Sequence, residues 1–150
     1  MKRNGNLVPL SRDHHFGLLY CWKIREGLKK NVEYSRIRKY INYFWHHSLS
    51  AHFEIEDIVL PETEHTGLQF LMEQEHAELR KLVSSINQSE DGRLLEDFAK
   101  ALHSHIRFEE RVVFPHLEAH LSEEQMTDIG LQLAEIHTPE TENYQDQFWK

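Results

Sequence analysis

The chain has a single cysteine, Cys21, and only 6 glycines and 4 prolines in 150 residues. One thiol excludes an internal disulfide and points to a reducing, cytoplasmic compartment, with Cys21 acting as a small buried hydrophobe. No apolar run approaches the ~20 residues needed to cross a bilayer, so no membrane span is expected. Met1-Lys2-Arg3-Asn4-Gly5 carries basic residues with no apolar stretch behind them, unlike a signal peptide. The net charge is -8, and the basic stripe that phosphate binding requires is missing, which argues against nucleic acid as a partner. Lys29, Lys30, Arg36, Arg38 and Lys39 form a local cluster that reads as a solvated helix face.

What the chain has in excess is histidine, 12 residues in all. The rest reads as helices, with almost no strand signal. Helix A opens at Ser11, after Pro9, with Leu10, His14, Leu18, Cys21, Ile24 and Leu28 on one face, and closes at Lys29-Lys30-Asn31. Helix B runs from about Ser35 to Leu60 and stops at Pro61, with Ile37, Ile41, Trp45, Ser48, His52, Ile55 and Val59 inward. Helix C begins near Thr66-Gly67 and carries Leu68, Met72, His76, Leu79, Val83 and Ile86. Helix D presents Leu94, Phe98, Leu102, His105, Phe108 or Glu109, and Val112, and Pro115 ends or kinks it. A fifth segment opens at Ser122, where Ser122 and Gln125 have capping-box spacing, and carries Met126, Ile129, Leu133 and Ile136. Short polar loops predict an all-α fold, an antiparallel up-down-up-down four-helix bundle with a short C-terminal fifth helix and tail. The whole chain, 1–150, is one domain, with the bundle over about 10–120 and the helix and tail over about 121–150.

Each of the four long helices carries one histidine on its apolar stripe: His14, His52, His76 and His105. Helices B and D add a carboxylate four residues later, as His52/Glu56 and His105/Glu109. Residues at i and i+4 share one helix face. A single core histidine is ordinarily a satisfied hydrogen-bonding group, but four of them with two glutamates are hard to satisfy among themselves. Burying such groups is costly, and metal ions compensate. Imidazole and carboxylate donors without thiolate suit iron, manganese or zinc. Six donors exceed the four of a single zinc and suit two ions about 3.5–4 Å apart, with the glutamates bridging. Iron is the preferred metal.

Rival patterns are weaker. A pair of Glu-x-x-His motifs would mark a ferritin-like site, and Glu73/His76 matches, but Leu102 stands where His105 would need its partner. His116 and His120 have zinc-like spacing at a helix end. They are expected to face solvent, as are His46, His47, His65, His103 and His137.

The stretches Leu10-Ser11-Arg12-Asp13-His14-His15, His52-Phe53-Glu54-Ile55-Glu56, Glu75-His76 and His105 through Pro115 resemble the hemerythrin-like (HHE cation-binding) domain family. The resemblance implies a four-helix bundle holding a non-haem di-iron site with carboxylate bridges. Carried over by position, His52, His76 and His105 would be terminal ligands, and Glu56 and Glu109 the bridges, Glu109 being preferred to Glu110 by its i+4 spacing. The helix A ligand would be His14, with His15 as the alternative. Oxygen-carrying members have a second histidine on helix C where this chain has Met72, which implies six protein ligands and an open position.

The function expected is that of a cytoplasmic di-iron protein binding or responding to a small diatomic or peroxide, in sensing, stress protection or iron handling. An oxidase or peroxidase-like enzyme on the same metals is the second reading. The third is a metal-free helical adaptor using the Met126–Ile136 stripe and the Phe148-Trp149 tail as its partner surface.

Overall fold

The computed structural model describes residues 2–63, 67–139 and 141–150. These form helices, with no strand among the described residues. After a 3₁₀ turn at Gly5–Leu7, α1 spans Val8–Lys29. It starts three residues earlier than its sequence suggests, because Pro9 sits in the first turn, where no backbone N–H is needed. α2 (Tyr34–Phe44), a π-helical turn (Trp45–Leu49) and α3 (Ser50–Val59) make one continuous rod. α4 spans Leu68–Asn87 and begins directly after Gly67, whose φ of 61° is left-handed and suits glycine. The expected start at Thr66 lies outside the described residues.

α5 (Gly92–Phe108), a second π-helical turn (Glu109–Val113) and α6 (Phe114–His120) form another rod. Pro115 therefore neither ends nor breaks the helix. The wider turn just before it accommodates the N–H that proline lacks. α7 (Glu123–Ile136) has the expected capping box, Ser122 and Gln125 each bonding the other's backbone N–H.

Each π-helical turn inserts a residue and rotates the next stretch of its rod. Leu49 and Val113 are buried where the unbroken period would have placed Ser48 and Val112, and Val112 is exposed. α1 packs along α5, α4 along α5, α2 against α4 and α5, and α7 against α3 and the opening turn. At Gly17 an added Cβ would lie 2.7 Å from Ile106 Cδ1, so glycine lets α1 approach α5 closely.

The interior is two apolar clusters. One holds Tyr20, Cys21, Ile24, Ile41, Phe44, Phe53, Leu79, Phe98, Leu102 and Ile106. The other holds Leu7, Leu10, Val59, Met72, Val113, Phe114, Met126, Ile129 and Leu133. On every long rod a histidine lies between the residues of one cluster and those of the other. Phe148 and Trp149 are buried in the first cluster, so the tail is core rather than a free partner surface. Of the α7 stripe only Ile136 is exposed.

Candidate metal centre

Between the two apolar clusters lie six buried polar side chains. His14 comes from α1, His52 and Glu56 from α3, His76 from α4, His105 from α5, and Glu109 from the first position of the π-helical turn after it. Glu56, His76 and Glu109 have no exposed surface. His15, the alternative on α1, is exposed, because Leu10, His14 and Gly17 set the inward face of that helix.

All four imidazoles turn Nε2 toward the two carboxylates. His14 Nε2 lies 2.7 Å from Glu109 Oε1 and 3.8 Å from Glu56 Oε2. His52 and His76 lie 3.2 and 3.3 Å from Glu56 Oε1, and His105 lies 3.1 Å from Glu109 Oε2. The Nε2 atoms of His76 and His105 are 3.1 Å apart. That last pair forms a hydrogen bond, but the imidazole–carboxylate approaches are not hydrogen-bonded. His14 Nε2, His52 Nε2 and both oxygens of Glu56 and of Glu109 are buried without a hydrogen-bond partner among the described residues. Native interiors rarely leave such groups unsatisfied.

A cation would resolve this. Donor atoms bonded to one ion at about 2.0–2.2 Å lie about 3 Å apart when at right angles, which is the spacing seen. The donors fall into two groups of four, His14–His52–Glu56–Glu109 and Glu56–His76–His105–Glu109, each with its ligand atoms within 4.8 Å of one another. Glu56 and Glu109 belong to both.

The outer nitrogen of every inner histidine meets a carboxylate from another rod. Asp13 accepts from His52 Nδ1 at 2.8 Å, and Asp57 from His76 Nδ1 at 3.0 Å. Glu75 accepts from His105 Nδ1 at 2.7 Å, and Glu110 from His14 Nδ1 at 2.7 Å. The pattern closes on itself: α1 braces the α3 histidine, α3 that of α4, α4 that of α5, and the turn after α5 that of α1. Each bracing acid is the sequence neighbour of an inner residue, so one rod supplies a donor and steadies the next. Bonds of this kind fix ring orientation and leave Nε2 free as the donor atom.

Burial opposes charge on these imidazoles, but the carboxylates around them prevail. His14 and His76 are raised, His52 to about 9 and His105 to about 10. Glu56 and Glu109 are likewise opposed by burial, yet the facing imidazoles hold both below the usual carboxylate range. Without a cation the centre therefore retains protons, which an incoming metal would displace. Phe53 stacks on His76 at 4.2 Å and Phe114 on His14 at 5.4 Å, forming apolar walls. A cavity of about 10 Å³, room for roughly one water-sized molecule, lies against His14, His52, Gly17 and Tyr20.

Other sequence expectations fare unevenly. Glu110 faces outward from the centre and braces His14. Glu73 is exposed, so the Glu-x-x-His reading fails. His46, His47 and His120 are exposed, while His116 is half-buried and meets Thr63 Oγ1 at 2.6 Å. His103 is half-buried, and His65 lies outside the described residues. His137, expected at the surface, is only 9% exposed because its Nε2 bonds Asp13 at 2.8 Å. The basic cluster is largely partnered, Arg36 with Asp146, Arg38 with Glu90 and Lys30 with the Trp149 carbonyl. Trp45 packs on Phe53, and Phe98 on Phe44. Phe114 and the four bracing acids went unread in the sequence.

An all-helical chain with a buried, carboxylate-linked double cluster of imidazoles defines the class as a helical cation-binding domain. A model of the hemerythrin HHE cation binding domain family matches residues 13–117, and the chain belongs to that family. No curated protein and no solved structure gives a match.

Proposed function

We propose that the chain is a non-haem di-iron protein that binds or responds to a small oxidant or diatomic: oxygen, nitric oxide or peroxide. The observation that carries this reading is the pair of four-residue donor groups sharing Glu56 and Glu109. His14, His52, His76 and His105 would be terminal ligands and the two glutamates the bridges, on an up-down-up-down four-helix bundle of α1, α2–α3, α4 and α5–α6. Manganese and zinc suit the same donor types, and iron is chosen on the resemblance to the family. Bound iron would supply reversible redox chemistry and a coordination position for a small molecule.

The chain's own residues do the rest. Asp13, Asp57, Glu75 and Glu110 hold the rings in one orientation, while Phe53 and Phe114 keep water from the inner donors. The cavity beside His14 and His52 has room for only about one water-sized molecule, which favours a small inorganic ligand over an organic substrate. No helix among the described residues is long and apolar enough to cross a membrane. We place the protein in the cytoplasm on its single, buried thiol.

Metal analysis of protein purified anaerobically and then exposed to air tests the reading. About two irons per chain with near-ultraviolet charge-transfer bands are expected, the bands shifting on azide addition. A folded protein that takes up no iron after reconstitution would overturn it.

A further inference from the structure

Among the four bracing acids, Asp13 alone also accepts from a further histidine among the described residues. Its Oδ2 lies 2.8 Å from His52 Nδ1 and 2.8 Å from His137 Nε2. The Asp13 and His137 side chains are 11% and 9% exposed. His137 is delivered by a fixed piece of backbone. It caps α7, its N–H bonding the Leu133 carbonyl at 2.8 Å. α7 is anchored by its capping box and by Met126, Ile129 and Leu133 in the second apolar cluster.

The other half of the centre lacks such support. Glu75, which braces His105, is 42% exposed, and Asp57, which braces His76, has among the described residues only Arg80 beside it, at 3.9 Å. Residue 137 also lies beyond the stretch 13–117 that matches the family.

We infer that His137 is a positioning residue of the metal centre, fixing the His52 imidazole through Asp13, so that α7 governs how tightly the His14–His52 half holds its ion. An Asp13 oxygen shared by two imidazole donors is held in place against His52. The ring then meets the ion in one orientation without paying for its ordering on binding. The inference rests on the two-ion reading above and adds to it an unequal pair of positions.

The test titrates metal-free, full-length protein with ferrous iron under anaerobic conditions against a competing chelator. His137→Leu fills the space without a donor, and His137→Gln keeps an N–H donor. Loss of a bracing partner typically costs about 10–100-fold in metal affinity. The leucine variant should therefore lose up to that factor at one of two equivalents, leave the other unchanged and keep the wild-type helical signal. The glutamine variant should recover most of the loss. Combining His137→Leu with Asp13→Asn should weaken binding no further than Asp13→Asn alone, since the effect passes through Asp13.

Wild-type affinity at both equivalents in the leucine variant would overturn the inference. So would an equal loss at both, unrelieved by glutamine, which would mark a merely structural role. A wild type that binds fewer than two equivalents would instead refute the two-ion reading beneath it.

Discussion

Replacing Glu56 by glutamine changes the centre by one charge and almost no volume. Three imidazole nitrogens face this carboxylate, those of His52 at 3.2 Å, His76 at 3.3 Å and His14 at 3.8 Å. In the metal-free protein, removing one partner from a buried charge cluster costs about 3–5 kcal/mol. The histidines can relieve part of this by releasing protons, so the lower figure, about 3 kcal/mol, is expected. At about 2–4 °C per kcal/mol for a chain of this length, the melting temperature should fall by roughly 6–12 °C. Metal binding should suffer more. Glu56 belongs to both donor groups, so both ions lose an anionic donor. Losing a direct donor should exceed the 10–100-fold typical of an outer partner, hence at least about 100-fold per ion, or about 2.7 kcal/mol. Thermal melts of metal-free protein and anaerobic iron titrations read the two effects separately. His105→Ala, which touches one group, should leave one tight equivalent. Glu56→Gln binding two ions with wild-type affinity, or losing only one, would refute the shared-carboxylate reasoning.

The same geometry sets three other outcomes. His52 and His105 are raised to about 9 and about 10, so their stabilisation of the metal-free fold is complete below the unfolded value of 6.5 and drains away as pH rises through 9–10. Melts of metal-free protein should show the melting temperature falling over that window, with the iron-loaded form spared; a flat metal-free profile would contradict this. Trp149→Ala removes an indole that is buried and lies 4.1 Å from Lys23 Nζ, and should cost about 3 kcal/mol by chemical denaturation. Iron stoichiometry should hold, since the neighbouring Tyr40 is twelve residues from His52, about 18 Å along the rod. Gly17→Val pushes a branched side chain against Ile106 and the small cavity, so it should lower stability by about 1–3 kcal/mol and slow azide binding at unchanged iron content.

The inner residues were legible because helical spacing puts them on stripes that are otherwise apolar. His14 was separable from His15 for the same reason, since only His14 shares a face with Leu10, Leu18 and Cys21. The bracing acids were not legible, because Asp13, Asp57, Glu75 and Glu110 lie on the flanks of their helices and their partners belong to other rods. One signal was present all the same: each is adjacent in sequence to an inner donor. The π-helical turns have no residue pattern of their own, so an unbroken period put Ser48 and Val112 inward where Leu49 and Val113 are buried. His137 and the Phe148-Trp149 tail depend on where the C-terminal elements dock. Local periodicity carries no information about that.

The central claim is that Glu56 and Glu109 join two metal ions within one nitrogen- and oxygen-lined centre. X-ray absorption at the iron edge of reconstituted protein tests it most directly. The account predicts an iron neighbour at about 3.5–4 Å and a coordination shell of nitrogen and oxygen alone, with the iron neighbour lost in Glu56→Gln. Iron without a metal neighbour, or with sulfur in its shell from Met72 or Cys21, would contradict it.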